Sequence, residues 1–133
     1  MRDENLDACR EVVVSPPSKE GGLSTCEALA WFSDVLRKGA PKLPDFIYFT
    51  DDGVCQGALL AFLKYGVRIP EDVKVMSWSN NGRGPYSCDP IAYAQVSTFD
   101  NAAAVADNLL ACLKGESHAP EVELQTELVR APF

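Results

Sequence analysis

The sequence predicts an α/β domain built on an open, mainly parallel sheet. Three observations carry that expectation. Phe46 to Phe49 is a short apolar run ending in Thr50-Asp51-Asp52. Val54, Ala58, Leu59, Phe62 and Leu63 then recur at the spacing of one helix face. After Gly66 and an Ile69-Pro70-Glu71-Asp72 turn, Val73 to Trp78 is a second apolar run. Strand, helix, strand of this length is a βαβ crossover, whose strands lie parallel and whose connection is right-handed.

The other elements follow in order. In 3–10, Leu6 and Cys9 share a face behind an acidic first turn, which reads as the end of a helix. Val12-Val13-Val14 reads as a short buried strand, broken by Ser15-Pro16-Pro17-Ser18 and Gly21-Gly22. Ser24 with Glu27 forms a capping box for a helix reaching Lys38, its apolar face being Ala28, Trp31, Phe32, Val35 and Leu36. Gly39 ends that helix. The stretch 79–90, rich in Asn, Gly, Pro and Ser, is long for a tight connection and suits a lip over a site. Ala94 to Ser97 predicts a strand, and Asp100 caps a helix over Asn101 to Lys114, which Gly115 stops. Alternation from Val122 to Val129 predicts a half-exposed last strand.

Composition narrows the function. At 133 residues the chain is one domain or part of one, and its 47% apolar content can fill a core. A net charge of −7 argues against gripping DNA or RNA, because phosphate affinity needs clustered Lys and Arg. No apolar run is long enough to span a membrane, and the acidic N-terminus does not read as a signal peptide. The five cysteines are odd in number and form no C-x-x-C, so they read as reduced thiols of a cytoplasmic protein. The single histidine, His118, falls in a loop, which leaves no metal site and no base for a cysteine nucleophile. No catalytic residue, metal or cofactor is expected.

In an open parallel sheet, ligands bind outside the carboxyl ends of the strands. Thr50, Asp51 and Asp52 stand at one such end, and Ser77, Ser79, Asn80 and Asn81 at the next. Asp52 is expected to be the structural cap of the helix, and Asp51 fits capping and ligand contact equally. A magnesium or phosphoacceptor site would need a third carboxylate, and Ser79-Asn80 does not supply it. Hydroxyls, amides and carboxylates without a cation suit a polyhydroxyl ligand. Trp31 is expected in the core, and Trp78 beneath a helix.

The run Pro44 to Asn80 resembles the C-terminal effector subdomain of LacI/GalR-type transcriptional regulators. It supplies that pattern's Pro44-Asp45, Asp52, Gly57-Ala58-Leu59, Leu63, Gly66, Ile69-Pro70, Asp72-Val73, Val75 and Trp78 in register. The Ile-Pro-Glu-Asp-Val turn is the most specific part. The resemblance implies a three-layer, Rossmann-like half of a type I periplasmic-binding-protein-like domain, which senses a small sugar-like or nucleoside-like effector between two subdomains and catalyses nothing. By position, Asp51 replaces the family's ligand-contacting Asn, and Ser79 replaces an Asp that grips sugar hydroxyls. Leu23 falls near the aromatic that stacks on the effector, and Ser97 or Thr98 near a polar residue at the crossover. The departures at 79 and 23 point to a different ligand or a decayed site. Cys55 and Gln56 fall on the family's homodimer surface. The resemblance further implies that the chain is a fragment, that about 98–118 crosses to the N-terminal subdomain, and that DNA is contacted only through a helix-turn-helix outside this chain. The competing reading is a periplasmic-type solute-binding protein for sugars, and behind it a phosphoacceptor using Asp51 and Asp52.

Overall fold

The computed structural model describes residues 25–39, 43–80, 82–116, 123 and 125–130. The helix expected over 3–10, the strand at 12–14, Leu23, Ser24 and His118 lie outside the described residues. The elements are α1 (Thr25–Arg37), β1 (Phe46–Phe49), α2 (Asp52–Tyr65), β2 (Lys74–Asn80), β3 (Ala92–Val96), α3 (Thr98–Lys114) and β4 (Thr126–Val129). They form a sheet of order β1-β2-β3-β4. β1 and β3 run parallel to β2, and β4 is antiparallel to β3. The fold is the predicted mainly parallel α/β sheet.

Register assigns the two faces, since residues side by side point the same way. One face carries Ile47, Phe49, Val75, Ser77, Ser79, Tyr93 and Gln95. Helix α2 packs there, joining Cys55, Ala58, Leu59 and Phe62 to Phe49, Val75, Ile69, Val73 and Ile91 in one core. Phe32 of α1 meets Phe49 and Phe62 edge to face, with ring centroids 5.8 Å apart in each pair. The opposite face leaves Phe46, Tyr48 and Leu128 exposed and Trp78 half-buried. Trp78 shares that face with the buried Ala92, Ala94 and Val96. Helix α2 covers Val75 and Ser77 on the face that it packs against.

Helix α2 is buried more broadly than a simple apolar stripe suggests. Gly57 and Ala61 are buried along with Cys55, Ala58, Leu59 and Phe62. At Gly57 an added Cβ would lie 2.4 Å from the Thr25 carbonyl oxygen and 2.6 Å from Ala28 Cβ, so α1 crosses α2 at this residue. Leu63, expected on the buried face, is 76% exposed, because the helix turns Gly57 and Ala61 toward α1 and Leu63 away from both partners. Gly66 ends the helix in the left-handed region (φ 71°), where its N–H reaches the last carbonyls.

The turn into β2 is stapled by Arg68. Its backbone N–H and Nε donate to Asp72 Oδ2 at 2.9 and 3.0 Å, and a terminal nitrogen donates to Oδ1 at 2.6 Å. Helix α3 begins at Thr98, and its cap is Ser97, whose Oγ accepts from the Asp100 N–H at 3.1 Å. The expected cap at Asp100 is thus corrected: Asp100 already lies in the first turn. No residue of α3 is buried, and Phe99, Val105, Leu109, Leu110 and Leu113 are exposed.

Candidate functional site

Parallel pairing of β1 and β2, with Phe49 beside Ser77, puts Thr50–Asp52 and Ser79–Asn80 on the same edge of the sheet. Asp51 is extended (φ −137°, ψ 129°), and its Oδ1 accepts from the Val54 N–H at 2.7 Å. Its backbone oxygen accepts from the Cys55 N–H at 3.1 Å. Asp51 is therefore the N-cap, and the expectation for Asp52 is corrected. The helix starts one residue earlier than its apolar period suggests, so Asp52 is its first residue and has no capping geometry. Asp51 is exposed, and capping uses one lone pair of a carboxylate that has several. The cap uses only Oδ1, which leaves Oδ2 able to accept from a ligand hydroxyl.

Ser79 and Asn80 do not face one opening together. β2 continues through Asn80, so the two side chains lie on opposite faces. Ser79 is only 1% exposed. The chain reverses after Asn80, where the Arg83 N–H donates to the Asn80 carbonyl at 2.9 Å, and it returns over β3. A Cβ on Gly84 would sit 2.4 Å from the Tyr93 ring and 3.4 Å from Ser79 Oγ, so the Gly84 backbone lies flat on both. Tyr93 Oη donates to the Pro85 carbonyl at 3.2 Å. The expected ligand contact at Ser79 is accordingly shut in by its own loop.

The expected dimer contact at Cys55 is also corrected. Cys55 is 0% exposed, because α2 turns it onto the sheet. Burial pushes its thiol up to about 12, against a smaller opposing effect from the hydrogen bond with Ser77. Gln56 is half-buried and occupied: Nε2 donates to the Tyr86 carbonyl at 3.2 Å, and Oε1 accepts from the Tyr86 N–H at 2.7 Å. Its polarity serves this loop. Thr98 is exposed on the first turn of α3.

Two hollows adjoin this edge. One, of about 190 Å³, lies between the start of α2 and the loop, lined by Asp52, Gly53, Gln56, Gly84, Pro85 and Tyr86. The other, about 400 Å³, lies where β3, β4 and α3 meet, and its polar lining includes Gln95, Ser97, Asp100 and Glu127. Sequence reasoning missed Gln56, Gly84, Tyr86 and Tyr93 as site-shaping residues. The one local signal was the Gly82-Arg83-Gly84-Pro85 run, which allows close backbone approach. Among the described residues no group of three His, Cys, Asp or Glu could hold a metal. No described helix is long and apolar enough to cross a membrane.

The family described as periplasmic binding protein-like domain matches residues 1–130. No curated protein matches the chain. Among solved structures, the transcription regulator CcpA of Lactococcus lactis superposes with a TM-score of 0.68 at 22% identity, covering 84% of this chain and 40% of that one. The dimeric Lac repressor with an 11-residue C-terminal deletion gives 0.66 at 20%, covering 81% and 39%. A LacI family transcriptional regulator from Arthrobacter, in complex with lactose, gives 0.61 at 20%, covering 81% and 42%. At these identities the likeness is one of fold, and the chain spans about two fifths of the length of these proteins.

Proposed function

The chain belongs to the periplasmic binding protein-like domain family, and from that premise we propose that it is the effector-sensing and dimerising part of a LacI-type transcriptional regulator. It binds a small sugar-like or nucleoside-like metabolite at the carboxyl ends of β1 and β2 and does not transform it. The observation that supports this reading best is the parallel pairing of β1 with β2, which sets the Asp51 carboxylate and the polar tip of β2 at one edge. The solved lactose complex with the same fold adds to it. The carboxylates of Asp51 and Asp52 with the hydroxyl of Ser79 and the amide of Asn80 suit a hydroxyl-rich ligand.

In the assembled regulator, the segment from about 98 to 118 crosses to a second subdomain, and that subdomain covers Val105, Leu109 and Leu113 of α3. Effector then favours one closure angle of the cleft, which changes the spacing of DNA-reading heads carried outside this chain. Homodimerisation uses the outer side of α2, where Leu60 and Leu63 are 41% and 76% exposed. Four described cysteines are free thiols, which fits a reducing cytoplasm better than a solute-binding role outside it. Thermal-shift screening of sugars and nucleosides tests the sensor. A ligand that raises the melting temperature and is recovered unchanged supports it. Chemical turnover of a stabilising ligand, or specific operator binding by this chain alone, would overturn it.

A further inference from the structure

We propose that residues 82–86 form a latch over the effector edge, with the Gln56 side chain as its catch, and that Ser79 becomes accessible only when the latch opens. The latch deepens the sensor reading and rests on it for its biological use, although its mechanics stand on geometry alone.

The catch is a side-chain amide acting as a short piece of β-ladder. Gln56 presents an acceptor and a donor in fixed order, and Tyr86 presents the complementary N–H and carbonyl. Both bonds close one ring between α2 and a loop thirty positions away, so neither forms without ordering the loop. The loop's other edge is tied by Tyr93 Oη to the Pro85 carbonyl. Between the two ties, Gly84 lies against the Tyr93 ring and Ser79 Oγ with no room for a side chain.

Both ties are exposed or only part-buried, and each is a neutral hydrogen bond between a side chain and the backbone. Such bonds contribute modestly because water replaces them on opening. Tyr86 extends its ring outward at 90% exposure, and the covered apolar part of the segment is the buried Pro85 with Gly84 against the Tyr93 ring. The buried group beneath is a hydroxyl in line with Gln95, part of a polar strip at the end of the sheet. A short loop held by three neutral hydrogen bonds and one buried proline over a polar strip is a segment that opens locally at a cost below that of global unfolding.

The test uses the whole chain, with Gln56→Ala and, as an independent loosening of the other tie, Tyr93→Phe. Amide hydrogen exchange of the peptide spanning 82–88 and alkylation of the thiol introduced by Ser79→Cys are read by mass spectrometry. Gln56→Ala should raise both rates by roughly tenfold, from the loss of two neutral hydrogen bonds. Exchange in β1 and β2 should stay unchanged. Tyr93→Phe should raise both by a smaller factor, and it keeps the test alive if Gln56→Ala fails to fold. Unchanged rates in a folded Gln56→Ala protein would overturn the latch, as would an equal rise across the entire sheet. Failure of every sugar or nucleoside to bind would count against the sensor reading and leave the exchange result standing.

Discussion

Substituting Gly57 by alanine sets two well-measured effects against each other. Glycine inside a helix is worse than alanine by about 1 kcal/mol, so propensity alone predicts that Gly57→Ala stabilises the protein. Packing predicts the opposite. The new Cβ would meet the Thr25 carbonyl oxygen at 2.4 Å, Ala28 Cβ at 2.6 Å and the Leu29 nitrogen at 2.8 Å. Ordinary contact begins at 3.4 Å, so α1 would have to withdraw by nearly an ångström. Two of the three atoms are backbone, and no rotamer change relieves them. Withdrawal would also pull Phe32 from Phe49 and Phe62. Overpacking of this kind costs about 1–3 kcal/mol, and a rigid backbone contact belongs at the upper end. After subtracting the propensity gain, a net loss of about 2 kcal/mol is expected. For a domain of this size that lowers the melting temperature by roughly 6–12 °C. Thermal melts followed by far-UV circular dichroism measure it, with Gly53→Ala as comparison. At Gly53 the nearest atoms are the side-chain oxygens of Asp51 (3.2 Å) and Thr25 (3.5 Å), so only a small change is expected. A Gly57→Ala protein melting at or above the parent temperature would refute the α1–α2 crossing.

Three further outcomes are expected. Asp51→Ala should cost about 0.5–2 kcal/mol in urea unfolding, whereas Asp52→Ala should cost much less, because only Asp51 caps α2; equal losses would contradict the cap assignment. Arg68 holds Asp72 at about 2, chiefly through the side-chain hydrogen bonds and then the backbone one, below the ordinary 3.8. A depressed carboxylate stabilises the folded state above its unfolded value and stops doing so as pH falls toward its folded value. Asp72→Asn should therefore flatten the acid side of the stability profile between 3.8 and about 2, and a curve parallel to the parent's there would count against the staple. Finally, iodoacetamide at neutral pH should label Cys26, Cys88 and Cys112 but spare Cys55, whose burial keeps the thiol protonated; labelling of Cys55 in the folded protein would contradict the core.

The βαβ unit was legible because its signals are local and agree: two apolar runs, a helical period between them, and Gly66 as a stop. Its parallel pairing followed from length alone. What sequence could not resolve were choices between chemically equal neighbours. Asp51 and Asp52 can each cap a helix, and only the extended backbone at 51 decides. Ser97 and Asp100 pose the same ambiguity at α3. The burial of α2 was misjudged at Leu63 because glycine and alanine carry no periodic signal of their own, yet Gly57 and Ala61 mark the side where α1 packs. The site suffered most from non-local geometry. Gln56 and Tyr86 lie far apart in sequence, so the bond that closes the loop over Ser79 has no local trace.

Ligand binding at the carboxyl ends of β1 and β2 is tested by a chemical-shift titration of the isotopically labelled protein with a panel of sugars and nucleosides. Shifts are expected to concentrate at 50–53 and 79–86, with the ligand's own spectrum unchanged after prolonged incubation. Shifts confined to α3, or conversion of the ligand to a product, would contradict it.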